Sequence, residues 1–403
     1  MNFLWGLFGI FVVFGIAWLL SAKKKSLNLR TIFVGLAIQL SFAFIVLEWP
    51  TGRAAIQALA ETVQQIIDYA GEGIAFVFGP AANVEEFGFV FAFQVLTIII
   101  FFSSLIAVLY HLKIMQFIIK ILGGALSWLL GTSKPESMSA AANIFVGQTE
   151  APLVVRPFIK NMTQSELFAI MTGGLASVAG STLAGYALLG VPLEYLLAAS
   201  FMAAPAGLIM AKIIFPETEE PEHETLELED DDEAVNVIDA AARGAGVGLQ
   251  LALNVGAMLL AFIALIALIN GILGGIGGWF GYESLTLQGI LGFIFAPLAF
   301  AIGVPWDEAV LAGSFIGQKL VLNEFVAYTA FAPMIEELSA KTVAIVSFAL
   351  CGFANLSSLA ILLGGLGGMA PTRRPDIARL GMRAVAAGML ASLLSASIAG
   401  MFI

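Results

Sequence analysis

The sequence predicts an all-α integral membrane protein with eight transmembrane helices, two re-entrant helical hairpins and an interfacial helix. Of its 403 residues, 60% are hydrophobic and 12% are charged, whereas soluble domains average about 45–50% apolar and about 25% charged residues. Eight segments each supply about the 20 apolar residues that a helix needs to cross a bilayer. These predicted spans are 2–21, 30–49, 87–110, 164–190, 193–215, 249–273, 340–366 and 380–402.

The positions of Lys and Arg predict the orientation, because cytoplasmic loops carry an excess of these residues. The run at residues 23–25, with Arg30, places the first loop in the cytoplasm and the N-terminus outside. The same rule places three further basic positions inside, which are Lys134, Lys160 and the segment 371–379. These assignments agree only if the segments 135–160 and 305–335 each enter and leave the membrane on one side. Both segments are therefore predicted to be re-entrant hairpins.

The predicted interfacial helix lies between the second and third spans. Its apolar positions follow an i, i+3, i+4, i+7 pattern, and polar residues occupy the opposite face. The apolar positions are Ile56, Leu59, Ala60, Val63, Ile66, Ile67 and Ala70. A helix of this kind is suited to lie along the membrane surface as part of a scaffold.

Two short sequences recur in the same order and predict an inverted repeat. "FVGQ" at 145–148 returns as "FIGQ" at 315–318, and "GLASVAG" at 174–180 is echoed by "GFANLSS" at 352–358. Transporters are often built from inverted repeats whose broken helices meet near the middle of the membrane. Each half is therefore predicted to contribute a hairpin followed by an interrupted span.

Polar side chains inside these apolar segments predict a pocket. They cannot face lipid without a large cost, so they must face one another or a watery cavity. They are Gln148, Thr149, Glu150, Asn323, Glu324, Asn355 and Ser358. Gly147 and Gly317 are expected to ease the turns at the two hairpin tips, and Pro152 to start the returning helix.

The side chains of this pocket suit a neutral molecule rich in hydroxyl and amide-like groups, because carboxylates, carboxamides and hydroxyls predominate over basic groups. Glu324 can accept from vicinal hydroxyls, while Asn355 can both donate and accept. Phe353 has two interpretations, which are contact with an apolar surface of the ligand and packing against lipid or core.

An acidic segment separates the two halves of the chain. Residues 217–233 contain 11 acidic side chains and no Lys or Arg, which is typical of a solvated loop, although a cation or partner site is an alternative. It is predicted to be cytoplasmic. The predicted divisions are N-terminal spans and scaffold (1–134), a first repeat half (135–215), the acidic loop (216–236), a scaffold span with connecting helices (237–304) and a second repeat half (305–403).

Cysteine and histidine usage indicates neither a disulfide nor a resident metal. Cys351 is the single cysteine, and His111 and His223 are far apart in sequence. We expect no cofactor apart from a coupling ion, and no nucleic-acid partner.

Four motifs resemble those of the concentrative nucleoside transporters in their bacterial form. They are "NIFVGQTEAPLVVRPF", "LASVAGSTLAGYA", "VLNEFVAY" and "CGFANLSSLAILLGGLG", in the order expected for that family. The resemblance covers nearly the whole chain. It implies eight spans and two re-entrant hairpins in each protomer of a homotrimer in the bacterial inner membrane, with each protomer importing a nucleoside together with a cation.

The resemblance also assigns roles to individual residues. Gln148, Thr149 and Glu150 are expected to contact the nucleobase, with Thr182 at a base-side position linked to base preference. Glu324, Asn355 and Ser358 are expected to hold the ribose hydroxyls, and Phe353 falls on a further pocket position. For sodium, the resemblance implies side-chain oxygens of Asn143 and Ser177 and the carbonyl oxygens of Val146 and Val178.

The sequence therefore predicts a nucleoside importer that works by alternating access with about one sodium ion per nucleoside. A proton-coupled symporter is the alternative, and the choice between purine and pyrimidine stays open. A channel for polar solutes fits the composition, but two hairpins that close a midplane site favour alternating access. A membrane enzyme is disfavoured. The one dinucleotide-like motif, "GLGGMA" at 365–370, lies at the end of an apolar span and follows no predicted strand, which a dinucleotide-binding motif requires.

Overall fold

A computed structural model describes residues 2–221, 234–279, 281–282 and 285–403, without the side chains of residues 85 and 87. Within these ranges the chain is helical and contains no β-strand, which confirms the predicted all-α class. Two features named above lie outside the described residues, namely His223 and the part of the acidic segment from 222 to 233.

The N-terminal part contains three helices that are long and apolar enough to cross a membrane, and they match the first three predicted spans. The second of them continues through a π-helix, Phe44–Glu48. The helices of this part are α1 (Asn2–Leu19), α2 (Leu29–Ala43), α3 (Pro50–Phe78), α4 (Val84–Phe87), α5 (Phe91–His111) and α6 (Ile114–Leu130).

Helix α3 has the amphipathic pattern that the sequence predicts for a surface helix. Ile56, Ala60, Ile67 and Ala70 are buried on one side. Leu59, predicted for that side, is exposed among the mostly polar residues of the other. The helix begins at Pro50, where the missing amide hydrogen of proline costs no helical hydrogen bond.

Helix α6 is a largely apolar helix with one exposed apolar face, a feature that no pattern discussed above indicates. Met115, Ile119 and Gly123 are buried, while Phe117 and Trp128 are 66% and 74% exposed. An exposed apolar face on a helix of 17 residues is suited to a membrane interface. Because both faces of α6 are largely apolar, no alternation of polar and apolar residues marks it in the sequence.

In the rest of the chain, one long helix separates two similar sets of helices in sequence. This helix, α11, has 43 residues and is thus about 64 Å long, roughly twice the thickness of the hydrocarbon core. The helices are α7 (Lys134–Ala142), a 3-10 helix (Ala151–Phe158), α8 (Gln164–Ala176), α9 (Gly180–Leu188), α10 (Leu193–Ile214), α11 (Val237–Trp279), α12 (Leu287–Ala301), α13 (Trp306–Val321), α14 (Glu324–Phe331), α15 (Ala340–Leu350), α16 (Ser358–Met369) and α17 (Arg374–Ala399).

The two sets follow the same order of elements. Helix α7 packs against the 3-10 helix to form hairpin 1, and α13 packs against α14 to form hairpin 2. After each hairpin come two short helices, which are α8 and α9 in the first set and α15 and α16 in the second. The break at 177–179 falls inside the first echoed segment, and the break at 351–357 overlaps the second from residue 352 on. The predicted span 340–366 is therefore an interrupted pair of helices of 11 and 12 residues.

Gly317 does not lie at a hairpin tip, so its predicted role in the turn is wrong. It lies inside α13, and the turn to α14 is made by Leu322 and Asn323. A Cβ atom on Gly317 would lie 2.8 Å from Cβ of Leu291 and 2.9 Å from Cδ2 of Phe295. The glycine thus lets α13 approach α12 closely.

Hairpin 1 turns where the sequence predicts. Gly147 and Gln148 lie in the non-helical segment between α7 and the 3-10 helix, and Pro152 lies in the first turn of that helix. By contrast, Gln318 of the matching "FIGQ" segment is part of α13. The four-letter match therefore marks different places in the two hairpins.

The repeated helices form the interior of the protein. In an apolar stretch of 18 residues within Gln164–Leu188, which covers α8 and α9, 94% of the residues are buried. The buried shares of the corresponding stretches in α10 and α17 are 89% and 83%. The corresponding values for α1, α5 and α11 are 28%, 22% and 22%. The latter helices thus form an outer layer with broad apolar surfaces.

A buried ion pair fixes the start of hairpin 1 to the core. Nζ of Lys212 in α10 lies 2.6 Å from a carboxylate oxygen of Glu136 in α7. Lys212 also donates a hydrogen bond of 2.9 Å to Ser165 in α8. Lys212 therefore joins α10 to both α7 and α8 of the first set.

Candidate functional site

A cavity of about 620 Å³ lies where the two hairpins and the two broken helices meet. It is lined by all eight residues that the sequence analysis predicts for substrate binding, together with Val146 from the predicted sodium site. The eight are Gln148, Thr149, Glu150, Thr182, Glu324, Phe353, Asn355 and Ser358. The structure thus brings together residues that are up to 210 positions apart in the chain.

Glu324 is held by hydrogen bonds to both of its carboxylate oxygens. The hydroxyl of Tyr186 in α9 donates to Oε1 at 3.2 Å, and the side-chain amide of Asn355 donates to Oε2 at 3.0 Å. All three residues are buried. Because a carboxylate oxygen can accept more than one hydrogen bond, Glu324 keeps acceptor capacity towards the cavity.

Helix capping places these residues at helix starts. Asn323 accepts from the amide of Val326 at 2.8 Å and so caps α14, with Glu324 as its first residue. Asn355, two residues before the N-cap Ser357 of α16, accepts from the amide of Ser358, the first residue of that helix, at 2.8 Å. Asparagine is among the residues that best satisfy the unpaired amides of a helix start.

The two broken helices are joined at their breaks by backbone hydrogen bonds. The amide of Phe353 donates to the carbonyl of Ser177 at 3.0 Å, which links the second break to the first. The amide of Gly180 donates to the carbonyl of Phe145, and that of Leu356 donates to the carbonyl of Leu320, so each break is also tied to its own hairpin. These bonds satisfy backbone groups that would otherwise be unpaired in the interior.

Hairpin 1 presents its polar side chains to the other side of the cavity. Gln148 is 5% exposed, and its Oε1 atom has no hydrogen-bond partner within the described residues. Thr149 and Glu150 are partly exposed to the cavity. An unpaired buried acceptor is costly unless a ligand or water completes it, so Gln148 is available to a ligand.

Thr182 and Phe353 line the cavity with different bonding capacity. The hydroxyl of Thr182 donates to the carbonyl of Ala179 at 2.8 Å, which leaves its oxygen as an acceptor. The ring of Phe353 reaches the cavity as well as the surrounding core. Phe353 therefore packs against the core and also borders the cavity, and its contact with a ligand stays a prediction.

The predicted sodium ligands lie beside the cavity, at the tip of hairpin 1 and the first break. Asn143 donates through Nδ2 to the carbonyl of Ser139 at 2.9 Å, and its buried Oδ1 has no hydrogen-bond partner in the part of the chain that is described. Ser177 donates to the carbonyl of Gly173 at 2.9 Å. The oxygens of Asn143 and Ser177 thus remain free to accept, as a hard cation requires of its ligands.

Val146 and Val178 are buried in the non-helical segments next to Asn143 and Ser177. Carbonyl oxygens outside a helix are suited to bind a cation, because no helical amide occupies them. Of the four predicted ligands, Val146 also lines the cavity. The donor set of two side-chain oxygens and two carbonyls carries no formal charge.

Sequence reasoning missed several residues of this site. Tyr186 was not singled out, although a hydroxyl four residues after Thr182 in an apolar helix was an available signal. Phe325 and Tyr110 were missed in the same way, as aromatic residues among many. Polar lining residues were also missed, among them Arg156, Arg243 and Gln116. The aliphatic residues and Met258 that α11 contributes give no chemical signal: Val247, Leu251, Val255, Met258 and Leu259.

The fold and the site together define the class of this protein. Hairpins and broken helices that meet around a polar cavity inside a bundle of apolar helices are the architecture of a secondary transporter. A membrane enzyme would instead need reacting groups or a cofactor cradle at this place.

The chain belongs to the Na+ dependent nucleoside transporter family. Residues 195–400 match the family model described as "Na+ dependent nucleoside transporter C-terminus". Residues 8–81 match the model of the N-terminus of the same family. The region between them, residues 92–193, matches a family described as "Nucleoside recognition". The protein is thus a multi-pass membrane transporter of the bacterial concentrative nucleoside type and not an enzyme.

Proteins of known sequence and structure support this assignment over the full chain. The uncharacterized transporter YutK of Bacillus subtilis is 62% identical, with 100% of both chains covered. The nucleoside permease NupC of Helicobacter pylori is 52% identical, covering 99% of this chain and 98% of that protein. The solved structure of CNTnw in an inward-facing substrate-bound state is 57% identical, with a TM-score of 0.97, covering 100% of this chain and 98% of that chain.

Proposed function

We propose that the protein imports nucleosides by symport with one sodium ion per nucleoside, through alternating access. The observation that carries this proposal is the single cavity lined both by polar groups of hairpin 2 and the second break and by polar groups at the tip of hairpin 1. A nucleoside has a ribose with vicinal hydroxyls at one end and a base with amide-like edges at the other. The two sides of the cavity match these two ends.

Ribose recognition is proposed for Glu324, Asn355 and Ser358. The carboxylate of Glu324 accepts from Tyr186 and Asn355 and has further lone pairs for two vicinal hydroxyls. The carboxylate carries a charge, so its hydrogen bonds to hydroxyls are stronger than those between neutral groups.

Base recognition is proposed for Gln148, Thr149 and Glu150. Each offers a polar group at the tip of hairpin 1, and the unpaired Oε1 of Gln148 supports a direct or water-mediated contact. Thr182 and Phe353 complete this proposal, with Thr182 on the base side and the ring of Phe353 against an apolar surface of the ligand.

Sodium is proposed as the coupling ion, held by Asn143, Val146, Ser177 and Val178. The unpaired, buried Oδ1 of Asn143 supports this proposal, because an ion is one way to satisfy such an atom. One sodium ion that moves down about 100 mV contributes about 2.3 kcal/mol, and a tenfold gradient adds about 1.4 kcal/mol. One ion therefore suffices for an accumulation of several hundredfold.

Proton coupling is the second candidate, and Glu150 is the residue that would serve it. Its carboxylate lies at the tip of hairpin 1, beside the cavity, where a change of protonation would accompany a change of access. The neutral oxygen donors around Asn143 favour sodium over this alternative, because such oxygens are ligands for a hard metal cation rather than groups that take up a proton.

The proposal also includes the setting of the transporter. We place the protein in a bacterial inner membrane with the N-terminus outside and residues 217–233 in the cytoplasm, as the Lys and Arg distribution favours. We further propose a homotrimer, with the glycine-rich segment 271–281 near the contacts, since glycines allow helices to approach closely. Native mass spectrometry that shows monomers and dimers alone would contradict the trimer.

Uptake into proteoliposomes tests the proposed function. Radiolabelled uridine and adenosine are offered under a sodium gradient, a proton gradient, or neither, and the internal concentration is compared with the external one. Saturable accumulation that requires the sodium gradient is the expected result. Linear, non-concentrative flux would indicate a channel, and accumulation driven equally well by protons in choline buffer would replace sodium by the proton.

A further inference from the structure

Hairpin 2 contains a fully buried lysine that the proposed transport cycle does not use. Lys319, in the last turn of α13, has 0% of its surface exposed. Its Nζ donates to the carbonyl of Ala349 at 2.7 Å and to the hydroxyl of Ser392 at 3.1 Å. A buried ammonium group is costly unless it is well paired, so this placement requires an explanation.

The oxygens around Nζ lie at the end of a broken helix. Ala349 is in the last turn of α15, which ends at Leu350. Ser392 donates to the carbonyl of Cys351 at 3.2 Å, so its oxygen is oriented by the first residue of the break. The C-terminal end of a helix attracts a cation, because its last carbonyls have no helical partner.

Within the described part of the chain, no carboxylate oxygen lies within 4.0 Å of Nζ of Lys319. The carboxylate of Glu324, in the same hairpin, acts on it from farther away. The bonded partners of Lys319 are a carbonyl and a hydroxyl, which are neutral oxygens. The sodium site proposed above has donors of the same kind, namely carbonyls, a hydroxyl and a carboxamide. The position of Nζ thus has the chemistry of a cation site with an ammonium group inside it.

The repeated order of elements makes the two positions comparable. In the first set, α7 of hairpin 1 contributes Asn143 at its end, and the end of α8 contributes Ser177 and Val178. In the second set, α13 of hairpin 2 contributes Lys319, and the end of α15 contributes Ala349. Helix α13 takes the place of α7, and α15 takes the place of α8.

We propose that Lys319 is a tethered cation that occupies, in the second repeat half, the counterpart of the sodium position in the first. The inference rests on the proposed sodium site. One helix end binds an exchangeable ion, and the other holds the amine of Lys319, which is covalently tethered. The transporter therefore couples to one mobile cation although its two halves have related architecture.

The first test is the sodium-to-nucleoside ratio of the unaltered protein in proteoliposomes. The membrane potential at which net uridine flux reverses is measured at several sodium gradients, and its slope gives the ratio. A ratio of one is expected. A ratio of two overturns the tethered-cation proposal and leaves sodium symport in place. Uptake without sodium dependence would instead contradict the proposed sodium site.

The second test removes the ammonium group with Lys319→Ala, which leaves the oxygens of Ala349 and Ser392 and the space between them. A second sodium ion is then expected to enter, so that the Hill coefficient for sodium rises from about one to about two. Ethylammonium, which restores a charged amine, is expected to return the coefficient towards its original value. The exposed Lys120 on α6 provides the matched control, Lys120→Ala, which should respond to neither change.

An unchanged Hill coefficient in folded Lys319→Ala, with no response to ethylammonium, overturns the proposal. Folding is checked by gel filtration and thermal unfolding. If the variant is unstable, the reversal-potential measurement on the unaltered protein decides alone, because it requires no substitution.

Discussion

The hydroxyl of Tyr186 donates to Oε1 of Glu324 at 3.2 Å and so connects α9 of the first set to hairpin 2 of the second. Tyr186 is fully buried and stacks on Tyr328, with ring centroids 4.5 Å apart. The stacking fixes the ring, and the hydroxyl then fixes one side of the carboxylate. Asn355 fixes the other side, so Glu324 is oriented before any ligand arrives.

Tyr186→Phe is expected to weaken nucleoside binding by up to about 3 kcal/mol, the upper end of the range for a hydrogen bond to a charged group. The ring stays, but Oε1 loses its donor and the carboxylate loses its orientation. Isothermal titration of uridine measures the change. Tyr328→Phe is the matched control, because that hydroxyl donates to the carbonyl of Ser347. Equal losses in both variants would show that Tyr186 acts only through general packing.

Glu324→Gln is expected to weaken nucleoside binding by about 1.5–3 kcal/mol, because it removes the charged acceptor proposed for the ribose hydroxyls. The loss should be smaller for a 2′,3′-dideoxynucleoside, which lacks those hydroxyls. Free uracil should bind poorly to the unaltered protein. If calorimetry shows uracil binding as tightly as uridine, the ribose role of Glu324 is wrong.

The polar members of the candidate site could be predicted because the membrane makes them conspicuous. Gln148, Glu150 and Glu324 stand in apolar segments, where a carboxylate or carboxamide needs a partner or a cavity. Their convergence on one cavity follows from the hairpins and breaks, which glycine and proline signal only in part. The helical class and the family were predicted and are confirmed by the structure and the relatives.

Other parts could not be predicted, for physical reasons. Tyr186 and the α11 residues that line the cavity have side chains that are equally common in helix packing, so their type alone does not reveal their neighbours. Gly317 was misplaced because a match of four residues does not fix where a helix ends. Hairpin 1 leaves its helix at Asn143, before the matching segment, whereas hairpin 2 continues to Val321.

Lys212→Met is expected to destabilise the protein by about 3–5 kcal/mol, because it leaves Glu136 as an unpaired buried carboxylate. Thermal unfolding in detergent measures the loss. The double variant Glu136→Gln/Lys212→Met should recover part of it, since neither residue then carries a charge. Additive losses in the double variant would mean that the 2.6 Å pair does not couple the two residues.

Asn143→Ala is expected to abolish the sodium dependence of nucleoside uptake, because it removes the buried Oδ1 that has no other partner within the described residues. Weak, sodium-independent nucleoside binding should remain, since Asn143 does not line the cavity. Glu150→Gln is the matched comparison at the same hairpin tip. It should damage base recognition and leave the sodium dependence intact.

The two variants are measured together, as uridine uptake against sodium concentration at a fixed membrane potential. Sodium symport requires the sodium response to disappear in Asn143→Ala and to persist in Glu150→Gln. The opposite pattern, with loss of ion dependence in Glu150→Gln alone, would assign coupling to a protonated carboxylate. Protonation neutralises a carboxylate. That outcome would therefore also make uptake by the unaltered protein depend on pH, whereas uptake by Glu150→Gln would not.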